Sequence, residues 1–99
     1  SSKNLLITLQ KNIIANLGKE TEIEFGKYDG FKIYNLNKNE FVTVYDSQNK
    51  NLYFLDKNLN IQDGFPIYSK SVANFSTYKD EIEFSLKSDD RTIKFYTIK

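Results

Sequence analysis

Apolar and polar residues alternate over short stretches of this chain, and polar or glycine-containing segments separate the stretches. Alternation with a period of two is typical of half-buried β-strands, because successive side chains point to opposite faces of a sheet. The short polar loops between the stretches favour antiparallel hairpins. The pattern predicts strands at residues 5–9, 13–17, 22–25, 31–36, 41–45, 52–55, 72–78, 82–86 and 92–98, and a short extended piece at 67–68.

The first of these segments also fits a helix. Apolar residues recur there at helical spacing, namely at Leu5, Leu6, Leu9, Ile13 and Leu17. Asn12, Asn16 and the β-branched pair Ile13 and Ile14 lower the helix propensity of the same stretch. We therefore favour strands over residues 5–17 and keep an amphipathic helix as the alternative.

The chain resembles itself at an offset of 41 residues. Without a gap, residues 31–57 align with residues 72–98, and the alignment pairs Phe41 with Ile82, Ser47 with Ser88, Leu52 with Ile93 and Phe54 with Phe95. A repeat of about 40 residues made of short strands indicates a β-propeller or another stacked array of sheets. We therefore expect residues 38–54 and 79–95 to form equivalent hairpins, with the paired apolar residues facing neighbouring sheets.

A weaker third copy lies at the start of the chain, where residues 12–17 precede the similar residues 51–56 by 39 positions. The sequence therefore predicts one β-repeat domain over residues 1–99, divided into a partial repeat (1–25) and two fuller repeats (26–66 and 67–99). Pro66 can lie only at a strand edge or outside a ladder, so we expect it to mark the crossing between two sheets.

The composition removes several kinds of chemistry. The chain has neither cysteine nor histidine, which excludes disulfides and thiolate metal sites and removes the commonest general base. Fourteen basic residues balance 13 acidic ones, so the net charge of +1 predicts no attraction to nucleic acid. No window holds 18 apolar residues, so no membrane span is expected. Methionine is also absent, which suggests that the sequence is a piece of a longer or processed chain.

Two clusters of carboxylates are candidates for a chemical role. Asp89 and Asp90 beside Ser88 offer oxygen ligands to a cation such as calcium, but a solvated hairpin turn explains them better. Asp80, Glu81 and Glu83 look like an acid–base group, but Glu81 and Glu83 are two apart on a predicted strand and suit its wet face. We expect no catalytic, metal or cofactor site in this chain.

Tyrosines and lysines offer a third candidate, a platform on which nucleic-acid bases would stack. Its members are Tyr53, Lys57, Tyr78, Lys79, Lys94 and Tyr96. Tyrosine is equally at home in β-sheets and protein interfaces. The balanced charge favours that second interpretation.

Residues 51–60, followed by Gly64, Phe65 and Pro66, resemble a blade of the bacterial β-propeller repeats of the PQQ-repeat and FG-GAP-like kind. The shared pattern is an apolar-Tyr-apolar-Leu-Asp strand, a polar turn and a Gly-Phe-Pro ending. The resemblance implies a propeller fold. It implies no ligand, because the chain lacks the tryptophan of PQQ-type repeats and does not contain the Asp-x-Asp-x-Asp-Gly calcium loop of FG-GAP repeats.

We therefore expect an all-β fold of antiparallel four-stranded blades, about two and a half repeats, with a small β-sandwich as the alternative. The first functional hypothesis is a non-catalytic binding or scaffolding module that engages a protein partner or associates with itself through its terminal strands, residues 5–9 and 92–98. The second is a non-catalytic propeller segment of a larger enzyme whose catalytic part lies elsewhere.

Overall fold

The computed structural model describes residues 7–16 and 18–98, and over these residues the chain is all-β, with 65% strand and no helix. The strands are β1 (Ile7–Gln10), β2 (Ile13–Asn16), β3 (Lys19–Glu22), β4 (Tyr28–Leu36), β5 (Asn39–Asp46), β6 (Asn51–Asp56), β7 (Ile67–Tyr68), β8 (Asn74–Tyr78), β9 (Glu81–Asp89) and β10 (Thr92–Ile98). Antiparallel pairing of β1 with β2 shows that the helical alternative was wrong. Leu5, Leu6 and Leu17, on which that alternative also relied, lie outside the described residues.

The ten strands form three antiparallel sheets, which follow one another along the chain. The first sheet is β1-β2-β3, the central sheet is β4-β5-β6-β7 and the third sheet is β8-β9-β10, each a simple meander. The short strand β7 pairs with β6, through Asn51 with Tyr68 and Leu52 with Ile67. The central sheet therefore ends after Tyr68, within the segment that the sequence assigned to the last repeat.

Both faces of the central sheet are buried. On one face Val42, Val44 and Leu55 pack with Ile14 and Ile23 from the first sheet and the loop that follows it. Leu59, in the loop after β6, closes the same cluster and is 2% exposed. Since this face is largely apolar and the chain is small, its burial supplies a substantial part of the stability available to the fold.

The opposite face of the central sheet packs on the third sheet through stacked aromatic rings. Phe54 lies between Phe41 and Phe75, with ring centroids 4.7 and 4.6 Å away. Phe75 stacks on Phe84 at 4.7 Å, and Phe84 stacks on Tyr96 at 4.8 Å. Aromatic pairs at these distances add roughly 0.5–1.5 kcal/mol each to the free energy of burial. The stack therefore joins β5 and β6 of the central sheet to all three strands of the third sheet.

The Gly-Phe-Pro segment serves this interface. Phe65 lies against Phe54 and Phe84, with centroids 5.3 and 5.6 Å away. Pro66 immediately precedes β7, which is the last strand of the central sheet. The prediction that Pro66 marks the crossing between sheets was therefore wrong, because the proline lies just before the edge strand β7 and the crossing comes after that strand.

The crossing itself is residues 69–73, and hydrogen bonds attach it to both sheets. The Tyr45 hydroxyl of the central sheet donates to the carbonyl of Ser69 at 2.8 Å. On the other side, the N–H of Lys87 in β9 donates to Ser71 Oγ at 3.1 Å, and the N–H of Lys70 donates to the carbonyl of Lys87 at 2.7 Å. The crossing thus fixes how the third sheet lies on the central one.

The two hairpins are not equivalent at a single offset of 41, so that prediction was wrong. Ser47 lies in a turn and Ser88 lies in strand β9. Val42 pairs with Leu55, whereas Phe84 pairs with Tyr96, which gives an offset of 42 from β5 to β9 and 41 from β6 to β10. The two offsets differ by one residue because of the connection after β9. This connection contains a β-bulge at Ser88 and has a shorter loop than the β5–β6 connection.

The offset does hold for β6 and β10, but the burial of the paired residues differs. Leu52 and Phe54 are each 1% exposed, whereas Ile93 is 60% and Phe95 is 82% exposed. The expectation that Ile93 and Phe95 face a neighbouring sheet was therefore wrong, because the structure describes no fourth sheet against the third. Phe41 and Ile82 both contact the interface between the central and third sheets, Phe41 from the central sheet and Ile82 from the third. They point toward the same interface because β9 is shifted by one residue relative to β5.

The matched pair Phe54 and Phe95 gives a first prediction. Phe54→Ala removes the centre of the aromatic stack and lowers the free energy of unfolding by roughly 3–5 kcal/mol. Phe95→Ala, the same substitution on an exposed ring, changes that free energy by less than about 0.5 kcal/mol. Urea unfolding of both variants in dilute solution measures the difference, and equal losses would contradict the packing described above.

The β4–β5 turn gives a second prediction. Asn37 and Lys38 both have positive φ, at 52° and 64°, as a type I′ turn requires. Because Asn-Gly is the favoured pair in this turn, Lys38→Gly raises the free energy of unfolding by roughly 0.5–1 kcal/mol. Lys94→Gly is the control, since glycine in a strand interior is destabilising. Thermal unfolding in which both variants shift in the same direction would contradict the turn geometry.

Candidate interaction surface

The third sheet has one face that no described residue covers, and we call it the outer face. Inward-pointing Phe75, Phe84 and Leu86 pack on the central sheet, so the alternate positions point outward. The outer face consists of Asn74, Ser76 and Tyr78 from β8, Glu81, Glu83, Ser85 and Lys87 from β9, and Ile93, Phe95 and Thr97 from β10. A shallow depression of about 320 Å³ lies beside the ring of Phe95.

Charge on the outer face is arranged along β9. Glu81 and Glu83 lie towards the start of the strand, Ser85 lies in the middle and Lys87 lies towards the end. At about 3.4 Å per residue along a strand, the Cα atoms of Glu83 and Lys87 are roughly 14 Å apart. The row therefore runs from acidic to basic, and the apolar side chains of Ile93 and Phe95 lie next to it on β10.

The candidate calcium ligands lie at the end of β9 and in the hairpin turn after it, as the sequence analysis favoured. Asp89 Oδ1 accepts the backbone N–H of Arg91 at 2.8 Å, and this hydrogen bond is the main reason that the pKa of Asp89 is lowered. Asp90 Oδ1 lies 3.7 Å from Lys70 Nζ. No group of three His, Cys, Asp or Glu side chains among residues 7–16 and 18–98 is arranged to hold a metal ion.

The second carboxylate cluster is divided between a turn and the outer face. Asp80 lies in the β8–β9 turn with a positive φ of 66°, while Glu81 and Glu83 lie on β9. Their neighbours Ile82 and Phe84 are buried, so the two glutamates share the outer face as the sequence predicted. Their charge therefore contributes to a surface.

The residues of the candidate stacking platform do not lie on one surface. Tyr53 is 2% exposed and lies between the first and central sheets. Tyr96 stacks inward on Phe84, whereas Tyr78 is exposed on the outer face with Lys79 Nζ 5.4 Å from its ring centroid. Since these tyrosines belong to three different surfaces, they cannot bind successive bases together.

A further depression, also about 320 Å³, separates the central sheet from the crossing segment. Its polar groups include Lys32, Thr43 and Tyr45, while Phe31 and Val72 contribute apolar surface. The Thr43 hydroxyl donates to the carbonyl of Lys32 at 3.4 Å, and Tyr45 donates to Ser69. Burial raises the pKa of Tyr45, so this phenol stays protonated at neutral pH. The depression therefore lies where the central sheet meets the crossing segment and the start of the third sheet.

Asp46 is a buried carboxylate whose role the sequence analysis missed. It is fully buried at the end of β5, and its Oδ1 accepts the backbone N–H groups of Lys27, Gln48 and Asn49 at 2.9, 2.9 and 3.2 Å. Asn49 Nδ2 also donates to Oδ2 at 2.7 Å. A methyl group on Gly26 would overlap this carboxylate, so only glycine fits there.

The hydrogen bonds keep the Asp46 carboxylate in its ionised form. Burial by itself would raise its pKa, but the donors from Lys27 and Asn49 outweigh burial, and the pKa is lowered. The carboxylate is therefore ionised at neutral pH and joins the loop before β4 to the β5–β6 turn. The preference of aspartate for the first position of a turn was the only sequence signal for this role.

The residues that the structure describes contain no helix long and apolar enough to cross a bilayer. Comparison of the chain with protein-family models, with curated protein sequences and with solved structures finds no match. The resemblance to bacterial propeller repeats therefore stays a prediction.

Asp46 gives a third prediction. Asp46→Asn loses charge-assisted hydrogen bonds and lowers the free energy of unfolding at pH 7 by roughly 1.5–3 kcal/mol. Because the pKa is lower in the folded chain, this stabilisation is complete above the unfolded value of roughly 4 and is lost as the pH falls through the folded value. The acid dependence of the variant is therefore flatter than that of the original chain.

Urea unfolding at a series of pH values measures this effect. The matched control is Asp63→Asn, which neutralises an exposed carboxylate and leaves the stability at pH 7 within about 0.5 kcal/mol. If Asp46→Asn showed the same acid dependence as the unsubstituted chain, the role assigned to Asp46 would be wrong.

Proposed function

We propose that this chain is a non-catalytic binding or scaffolding module, whose sheets form a propeller-like array and whose outer face binds a protein partner. The observation that carries the proposal is the exposure of Phe95 and Ile93, at 82% and 60%. Contiguous exposed apolar side chains with polar residues around them are typical of protein interaction sites. Aromatic anchors contribute disproportionately to the binding energy of such sites.

The surroundings of Phe95 support a protein as the partner. The small polar side chains of Ser85 and Thr97 lie next to Phe95, and Ser76 and Tyr78 lie across β9 on the same face. Apolar side chains bordered by polar ones are a common feature of protein interfaces. The acidic pair Glu81 and Glu83 on the same face disfavours a nucleic-acid backbone as the ligand, because like charges would meet.

The resemblance to bacterial propeller repeats supports the same function from another direction. Stacked β-repeats bury each sheet against its neighbours, so a sheet with one bare face lacks a neighbour. The three sheets formed by residues 7–16 and 18–98 are fewer than the four or more blades of a propeller ring. We propose that the outer face is where the array continues, through a β-sheet of another protein unit.

The other hypothesis, that the chain belongs to a larger enzyme as a non-catalytic segment, is compatible with the same outer face. The sequence of the full gene tests it, because an enzyme would contain a nucleophile or metal motif outside these residues. A full gene without such a motif would contradict the enzyme hypothesis and leave the binding module as the remaining hypothesis.

Site-specific photocrosslinking tests the proposed function. Benzoylphenylalanine replaces Phe95, a substitution that the 82% exposure of this ring permits. In the host cell, irradiation is expected to crosslink benzoylphenylalanine at position 95 to one defined protein. Mass spectrometry identifies that protein through the crosslinked peptide. The control places the same amino acid at Gln10, on the side of the first sheet away from the central sheet. Absence of a crosslink at Phe95, or equal crosslinking at Gln10, would contradict the proposal.

A further inference from the structure

We propose that the partner at the outer face is a second copy of this chain, bound face to face about a two-fold axis that runs across β9 and β10 through Ser85 and Phe95. This inference rests on the proposed function and adds the identity and geometry of the partner. Ser85 and Phe95 are directly paired in the third sheet, so one axis can pass through both. Two-fold dimers are the commonest closed assemblies of soluble chains.

Continuity of packing is the first argument. Leu52 and Phe54 on β6 occupy the positions that Ile93 and Phe95 occupy on β10, and the third sheet covers them. The same positions on β10 therefore have the shape and polarity of a surface that packs on a sheet. A second copy of the third sheet supplies such a surface, with Phe95 against Phe95 at the centre and Ile93 opposite Thr97.

Charge complementarity is the second argument. A two-fold axis across the strands reverses the direction of β9, so the acidic half of the row on one copy lies over the basic half on the other. Glu83 and Lys87 are each two residues from Ser85 and exchange places under this operation. Each dimer therefore contains two Glu83–Lys87 contacts between copies, which determine the relative orientation of the sheets.

The opposite, head-to-tail arrangement is less favourable. There the outer face would meet the far side of the first sheet, which presents Glu20 and Glu22, because Thr21 between them points inward to the carbonyl of Leu59. Glu81 and Glu83 would then meet a surface that carries two further acidic residues. Like charges across an interface suppress that pairing, so the assembly closes as a dimer and does not extend into a fibre.

Sedimentation equilibrium over a concentration series tests the proposal on the chain as it exists. We expect the average mass to rise from that of one chain to that of two and to stay there. Phe95→Ser is expected to remain monomeric throughout, with an unchanged far-UV circular dichroism spectrum. Val72→Ser, which removes a 67% exposed apolar side chain elsewhere, is expected to dimerise as the original chain does.

Charge reversal tests the two-fold geometry. Glu83→Lys places lysine against lysine and Lys87→Glu places glutamate against glutamate, so each variant alone is expected to dimerise at least tenfold more weakly. A mixture of the two variants brings opposite charges together at both contacts, so the mixture is expected to form a heterodimer about as well as the original chain. Recovery of affinity on mixing is not expected from a merely structural role of either residue.

Three outcomes would overturn the inference: a mass that rises beyond two chains, a dimer that survives Phe95→Ser, or charge variants that do not recover on mixing. A monomer at all concentrations whose Phe95 crosslinks to a different protein would also overturn it, while leaving the proposed function intact. A monomer without any crosslink at Phe95 would contradict both.

Discussion

The stack of aromatic rings between the central and third sheets is the interaction on which the rest of the structure depends. Phe54, Phe75 and Phe84 form its middle, with centroid separations of 4.6 and 4.7 Å. A chain of 99 residues buries a limited fraction of its surface, so it must concentrate large side chains where they exclude most water. Because the rings come from β6, β8 and β9, one cluster determines both the spacing of the two sheets and their registration.

The interface between the first and central sheets is built differently, and it depends on amide side chains at its margins. Asn12 Nδ2 donates to the carbonyl of Ile23, and Asn16 Nδ2 donates to the carbonyl of Lys57, at 2.9 and 3.0 Å. These bonds tie β2 and the turn before it to the loop after the first sheet and to the loop after β6. The central sheet is thus held by stacked aromatic rings on one side and by mainly aliphatic packing with directional hydrogen bonds on the other.

Local sequence pattern predicted most of the strands because each strand depends on its own alternation of side chains. The strand predicted at residues 22–25 was wrong, because β3 is Lys19–Glu22 and the chain leaves the first sheet after it. The pattern also placed Glu81 and Glu83 correctly on a wet face. It could not detect the β-bulge at Ser88, since one extra residue in a strand leaves the alternation on either side intact. Because the bulge was not detected, a single offset of 41 appeared to relate the two hairpins. In the structure β9 is shifted by one residue relative to β5.

Burial was harder to predict than strands, because it depends on elements distant in sequence. Phe54 and Phe95 look alike in the sequence and lie in corresponding strands, yet one is enclosed by the third sheet and the other faces solvent. The role of Asp46 was hidden in the same way, because its main donors include the backbone of Lys27, 19 residues away. In both cases the missing information is which surface the fold brings opposite a residue.

Hydrogen exchange of β5 compared with β9, followed by mass spectrometry on dilute protein, tests this account most directly. Both are middle strands bonded on two sides, and they differ in that β5 has both faces covered while β9 has one. The account predicts that amides of β5 exchange only through global unfolding and that those of β9 exchange faster, through local opening. Equal exchange of the two strands, or faster exchange of β5, would contradict it.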